Sequence, residues 1–165
     1  MTETNFSAQK EVSKTEGGNA LSRFAVFKRH NQLFGLTIDL VREVLPGQPL
    51  TRVAGSMEEI LGVLSLRGEI LPVVVIDSWL GLPVSPDTPT LPILVLRRAE
   101  LLVGLRVDAI QSVVTIPARE VQPHPSAESG ALLKGIWHPE GHAPITLIDG
   151  TALIQALCRQ TSANS

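Results

Sequence analysis

A single cysteine, Cys158, stands in 165 residues, so no internal disulfide can form, and a reducing compartment is expected. Charge of one sign is scarce too. The formal net charge of −2 gives no field that would favour phosphate backbones or anionic lipid, and no nucleic-acid partner is expected. No uncharged apolar run approaches the ~18–20 residues of a membrane-spanning helix, and MTETNFSAQKEVSK lacks the apolar region of a secretory signal. The chain also lacks GxSxG, Walker-type and GxGxxG motifs. These absences lead to the expectation of a cytoplasmic protein with no direct membrane insertion.

What is present is a chain that is 44% hydrophobic and 18% charged, the balance of a folded domain with a real core. Residues 1–20 are polar, carry a Gly17-Gly18 pair and read as a disordered tail, with a short second tail at 159–165. Between them, Val, Ile and Leu come in short runs broken by Gly, Pro and charge, which is strand punctuation. Helical periodicity is weak except at Ser78–Leu82 and Gly150–Leu157.

The informative feature is an internal repeat. RFAVFKRHNQLFGLTIDLVREVL, from Arg23, aligns without a gap on PILVLRRAELLVGLRVDAIQSVV, from Pro92. Phe34-Gly35-Leu36 matches Val103-Gly104-Leu105, and Ile38-Asp39 matches Val107-Asp108. With one gap, Gly62, Gly68, Pro72 and Asp77 match Gly135, Gly141, Pro144 and Asp149. In each half two strands are followed by a change of period at Asp39 or Asp108, where a short aspartate-capped helical turn is expected. A glycine-centred hairpin comes next, then an apolar strand and a short helix. Halves of this size suit small β-barrels, whose closure removes exposed edges. The expected fold is all-β: two small barrels related by duplication, the first over about 21–82 and the second over about 93–158. The proline-rich segment 83–92 would be an exposed connector.

Little here points to chemistry. His138 and His142 have a metal-like spacing, but Pro139 and Gly141 argue against a helix, and a third ligand is lacking. Cys158 has no nearby histidine and reads as a buried small apolar side chain. The repeated aspartates suggest turns and caps, so no catalytic residue, metal or cofactor is assigned. On the residues alone, Arg67 reads as a solvated turn arginine, Val41 as core and Glu43 as solvent-facing.

The stretches LFGLTIDLVREVLPGQPLTRV, ILGVLSLRGEILPVV and VGLRVDAIQSVVTI together resemble the CheW-like family, the chemotaxis coupling proteins, over about residues 21–157. The resemblance implies two five-stranded SH3-like barrels around a shared core and no enzymatic activity. It implies an adaptor that couples the cytoplasmic tips of methyl-accepting chemoreceptors to the regulatory domain of a CheA-type histidine kinase, recruited to receptor arrays. It places Val41 and Glu43 in the receptor-facing region and Arg67 at the Leu-Arg-Gly hairpin tip, and assigns no kinase-facing residue. A groove between the barrels, with Val41 on its floor and Glu43 at its edge, is then expected to take the receptor. The chain departs from the pattern at Ser65, where the family has Asn, and at Val75, where the family's Asp is displaced to Asp77. The Pro often found near Met57 is missing. These departures leave the pathway open among chemotaxis, phototaxis and twitching motility. The reading from another class is a free-standing two-barrel domain that binds a small ligand or an unrelated peptide.

Overall fold

The apolar runs become eleven strands and one helix in a computed structural model that describes residues 20–56, 59–127 and 132–163. In chain order the strands are β1 (Leu21–Arg29), β2 (Gln32–Thr37), β3 (Val41–Leu45), β4 (Ile60–Leu66), β5 (Glu69–Val74) and β6 (Ile93–Arg98). Then follow β7 (Leu101–Arg106), β8 (Ala109–Pro117), β9 (Val121–Pro123), β10 (Leu133–Trp137), β11 (Ile145–Ile148) and the helix α1 (Gly150–Ala163). One sheet, sheet A, has the order β8-β1-β2-β11-β10-β9, and the other, sheet B, the order β3-β6-β7-β5-β4.

The class is all-β, as expected, but the division of the chain into 21–82 and 93–158 is not how the sheets are built. Each sheet takes its first hairpin from one half and its remaining strands from the other. The halves exchange strands, crossing between sheets at Ile38–Leu40 and again at Val107–Asp108. These are the two places where the sequence changes period. Only the first forms a short 3-10 turn, without a side-chain cap, so the expected aspartate caps are absent at both.

The duplication is visible in the register. Phe27 pairs with Phe34 on β2 and Ile110 on β8, and Leu96, 69 positions on, pairs with Val103 on β7 and Val41 on β3. Register shifts fall at equivalent points, Val26/Phe27 and Val41/Glu43. Val73 aligns with Gly104 and Leu147 with Gly35, so Val75 is the positional equivalent of Asp149. The aspartate of the first half has moved two residues on, to Asp77.

Neither sheet closes fully, and sheet A has six strands where five were expected. The edges β8 and β9 belong to one bent segment, hinged at the 3-10 turn Ala118–Glu120. In sheet B, Pro46 and Pro49 follow β3 and cannot donate to a ladder. Only Thr51 returns to bridge Val63 on β4, at 2.9 and 2.8 Å.

Runs such as Phe24–Phe27 and Ile93–Leu96 are apolar at every position because both strand faces are buried. Phe24 and Val26 fill the interior of sheet A, whereas Ala25 and Phe27 join the core between the sheets. Ile93 and Val95 fill the interior of sheet B, and Leu94 and Leu96 face the shared core. The helix adds Leu153 and Leu157 to that core from one face. Asp149 caps it, its Oδ1 accepting from the Ala152 N–H at 3.1 Å. The helix runs through 159–163, so the expected C-terminal tail is helical there. The N-terminal tail lies outside the described residues except for Ala20, whose carbonyl accepts from the Ala118 N–H at 2.8 Å.

Small residues keep the barrel interiors narrow. A Cβ at Gly104 would lie 2.6 Å from Ile93 Cγ2, and one at Gly35 2.8 Å from Leu147 Cδ2. Gly104→Ala is therefore expected to destabilise by about 1–3 kcal/mol through overpacking, read as a lower denaturant midpoint with an unchanged slope.

Residues 83–92 contain no strand or helix, yet they do not form a free connector. The buried Arg106 guanidinium donates to Asp87 through Nε and Nη2 (2.8 and 3.1 Å) and to the carbonyls of Leu91 (2.9 Å) and Gln48 (3.3 Å). Arg106→Ala should cost about 2–3 kcal/mol, since Asp87 and two carbonyls lose a shared donor. Lysine should restore little of this, lacking the fork. Chemical melts of both variants test the point.

Candidate functional site

The hairpin β4–β5 turns through two residues that both adopt left-handed backbone, Arg67 at φ +48° and Gly68 at φ +83°. Two positive φ values are the mark of the tight turn that matches strand twist, in which glycine is comfortable and arginine is not. The side chain standing on this rigid turn is exposed, Arg67 at 65%.

The guanidinium grips Glu43 of β3 in a two-pronged ion pair, Nη1 to Oε2 at 2.5 Å and Nη2 to Oε1 at 3.0 Å. Glu43 is 20% exposed and also has Arg42 Nε 3.7 Å away. Two of the three residues singled out in the sequence therefore meet. Such a pair near solvent contributes about 0.2–1 kcal/mol, enough to orient the tip and too little to hold the fold.

Val41 is a different matter. It is buried in the core between the sheets, opposite Leu96, so the expected role as the floor of a receptor groove is withdrawn. The cause is local. Plain alternation would put Val41 and Glu43 on one face, but the register shift between them places Glu43 opposite Val95, a residue of the sheet B interior. The two residues thus point to opposite sides of β3. A cleft of about 460 Å³ does run beside β2, between Phe34, Trp79, Leu80, His124 and Leu133, but Val41 does not line it.

Reading the sequence missed the other half of this surface. Glu69, the first residue of β5, pairs with Arg97 of β6 at 2.5 Å, so ion pairs brace the hairpin from both sides. Beside them Ile70 is 65% exposed, opposite the exposed Ser65. Together Glu43, Arg67, Glu69 and Arg97 make a charged rim at the hairpin end of sheet B, and Ile70 stands exposed on the other face of β5. An isoleucine beside a strand start reads as core from sequence, and nothing in its neighbours signals otherwise.

The remaining candidates lie elsewhere. His138 and His142 are exposed on either side of the turn between β10 and β11. Cys158 is exposed on α1, which corrects the expectation of a buried apolar role. Among the described residues no three His, Cys, Asp or Glu side chains gather as a metal site, and no helix is long and apolar enough to cross a membrane.

Comparison with known proteins agrees with this architecture. The chain is 35% identical over 130 residues to Chemotaxis protein CheW of Rhizobium meliloti, covering 77% of this chain and 82% of that one. It is 31% identical over 115 residues to Chemotaxis protein CheW of Klebsiella aerogenes, covering 69% of each. Protein PilI of Pseudomonas aeruginosa is 26% identical over 117 residues, 69% of this chain and 66% of its own. The crystal structure of the scaffolding protein TtCheW from Thermoanaerobacter tengcongensis superposes with a TM-score of 0.67 at 27% identity, over 78% of this chain and 88% of that one. The CheW-like domain model matches residues 23–158, and the chain belongs to the CheW-like family of chemotaxis scaffold proteins.

Proposed function

We propose that this chain is a non-enzymatic adaptor that couples chemoreceptor-type sensors to a CheA-type histidine kinase in a bacterial signalling array. The observation that carries the reading is the Arg67–Glu43 pair on an exposed, rigid turn. Arginine on a braced hairpin presents a planar fork whose direction is set in advance, which lowers the ordering cost of binding an acidic or carbonyl-rich partner surface. A receptor tip bearing a carboxylate would compete with Glu43 for the same guanidinium.

The adaptor works by mass action. It raises the local concentration of kinase beside receptor, and it biases the kinase only insofar as it contacts one kinase conformation better than another. The kinase-facing surface is assigned to no residue. The test is assembly: mixed with the regulatory domain of a CheA-type kinase, the protein should elute from a sizing column as a stable complex. Receptor cytoplasmic fragments should retain it through Arg67. Elution as separate species at tens of micromolar would remove the kinase arm of the proposal.

A further inference from the structure

The crossing point of the two sheets holds a buried ionic cluster that the adaptor reading leaves unused. Arg29 ends β1 in sheet A with a side chain only 6% exposed. It donates to Asp77 through Nε and Nη2, both at 2.8 Å, and to Asp108 through Nη1 at 3.0 Å. Asp77 is 2% exposed and follows β5 of sheet B. Asp108 lies in the link by which the chain leaves β7 of sheet B for β8 of sheet A, and its Oδ2 also accepts from the His30 N–H at 2.8 Å. The His30 ring covers the cluster, with Nε2 3.4 Å from Asp77 Oδ2. Hydrogen bonding to Asp77, against the opposing effect of burial, holds the guanidinium above its ordinary pKa.

The charge arrangement is unusual for a part that serves only to stabilise. A buried guanidinium and carboxylate can often be replaced by apolar side chains at no cost, whereas their directional bonds restrict how the segments bearing them sit. The duplication supplies an internal control. At the pseudo-equivalent corner, 69 positions away, Arg98 and Asp39 are both exposed. One corner of the exchanged pair is therefore pinned by charge and the other is not. Apolar packing, which fills the rest of the interface between the sheets, is non-directional and tolerates sliding.

We infer that Arg29, Asp77 and Asp108 form a joint that fixes the orientation of one sheet on the other, and so positions the Arg67 hairpin relative to sheet A. Arg67 and Asp77 flank β5, so a shift at the joint moves the strand that carries the tip. This holds whatever partner the tip meets.

The experiment measures inter-sheet distance directly. Spin labels at Thr115→Cys on β8 and Ser65→Cys on β4, both exposed positions, in a Cys158→Ser background, should give a narrow distance distribution. The double variant Arg29→Met/Asp77→Leu should melt within a few degrees of the parent, yet at least double the width of that distribution. Arg29→Met alone should lose most of its folded population, because it strands a buried carboxylate. Should the double variant also fail to fold, Asp108→Asn, which removes one charge from a part-exposed position, decides. Broadening supports the joint. A folded variant whose distribution stays as narrow as the parent's overturns it, because packing alone would then set the orientation.

Discussion

Val41→Asp is expected to unfold the protein, or nearly so, and not merely to weaken its hold on a partner. Val41 is fully buried between the sheets, packed with Leu96 across the strand pair. A carboxylate placed there has no cation to meet and must either stay charged in an apolar core or take up a proton at the expense of folding. An uncompensated buried charge costs about 3–5 kcal/mol, against a total stability of about 5–15 kcal/mol for a domain. The check is a denaturant melt, with the midpoint falling by a third or more. A variant that melted like the parent while losing receptor binding would restore Val41 to the surface and contradict the placement of β3.

Arg67→Ala should do the reverse. The arginine is mostly exposed and its pair with Glu43 is a surface interaction, so stability should change by less than about 1 kcal/mol. Replacing a non-glycine residue at φ +48° by alanine does not relieve the left-handed backbone. Receptor-dependent control of the kinase is nonetheless expected to fall at least tenfold, since the tip loses the group that is held out from it. Arg67→Lys should rescue poorly, keeping the charge but not the fork that spans both Glu43 oxygens. Glu43→Ala should give an intermediate loss, because the fork remains but is no longer aimed.

Much of the fold was legible because the duplication preserved its glycines, and glycine at Gly35 and Gly104 is required by the narrow interiors they line. Both strand hairpins and the C-terminal helix could be read from period and turn residues. The strand exchange could not. A hairpin with two apolar faces packs equally well on its own half or on the other, and the direction of the crossover at Ile38–Leu40 lies in the backbone geometry of three residues. The site was legible in part for a similar reason. Arg67 stands next to a glycine at a predicted tip, while Glu43 read as solvent-facing on its residues alone and became a candidate only through the resemblance. Val41 read as core on its residues alone, as its burial bears out, and only the resemblance moved it to a receptor groove. The extra residue in β3 turns Glu43 to the other face. Asp77 and Asp108 were visible only as repeated turn acids, and Arg29 only as a basic residue after the apolar run Phe24–Phe27. Their meeting depends on contacts 48 and 79 positions apart in the chain, which no local pattern carries.

The most direct test of the adaptor reading is kinase output in a reconstituted array. Receptor cytoplasmic fragments on vesicles are combined with a CheA-type kinase, with and without this protein, and phosphoryl transfer to the kinase is followed before and after stimulus. The account predicts that stimulus control appears only when the protein is present and disappears again with folded Arg67→Ala. Equal control in its absence, or full control with Arg67→Ala in its place, would contradict it.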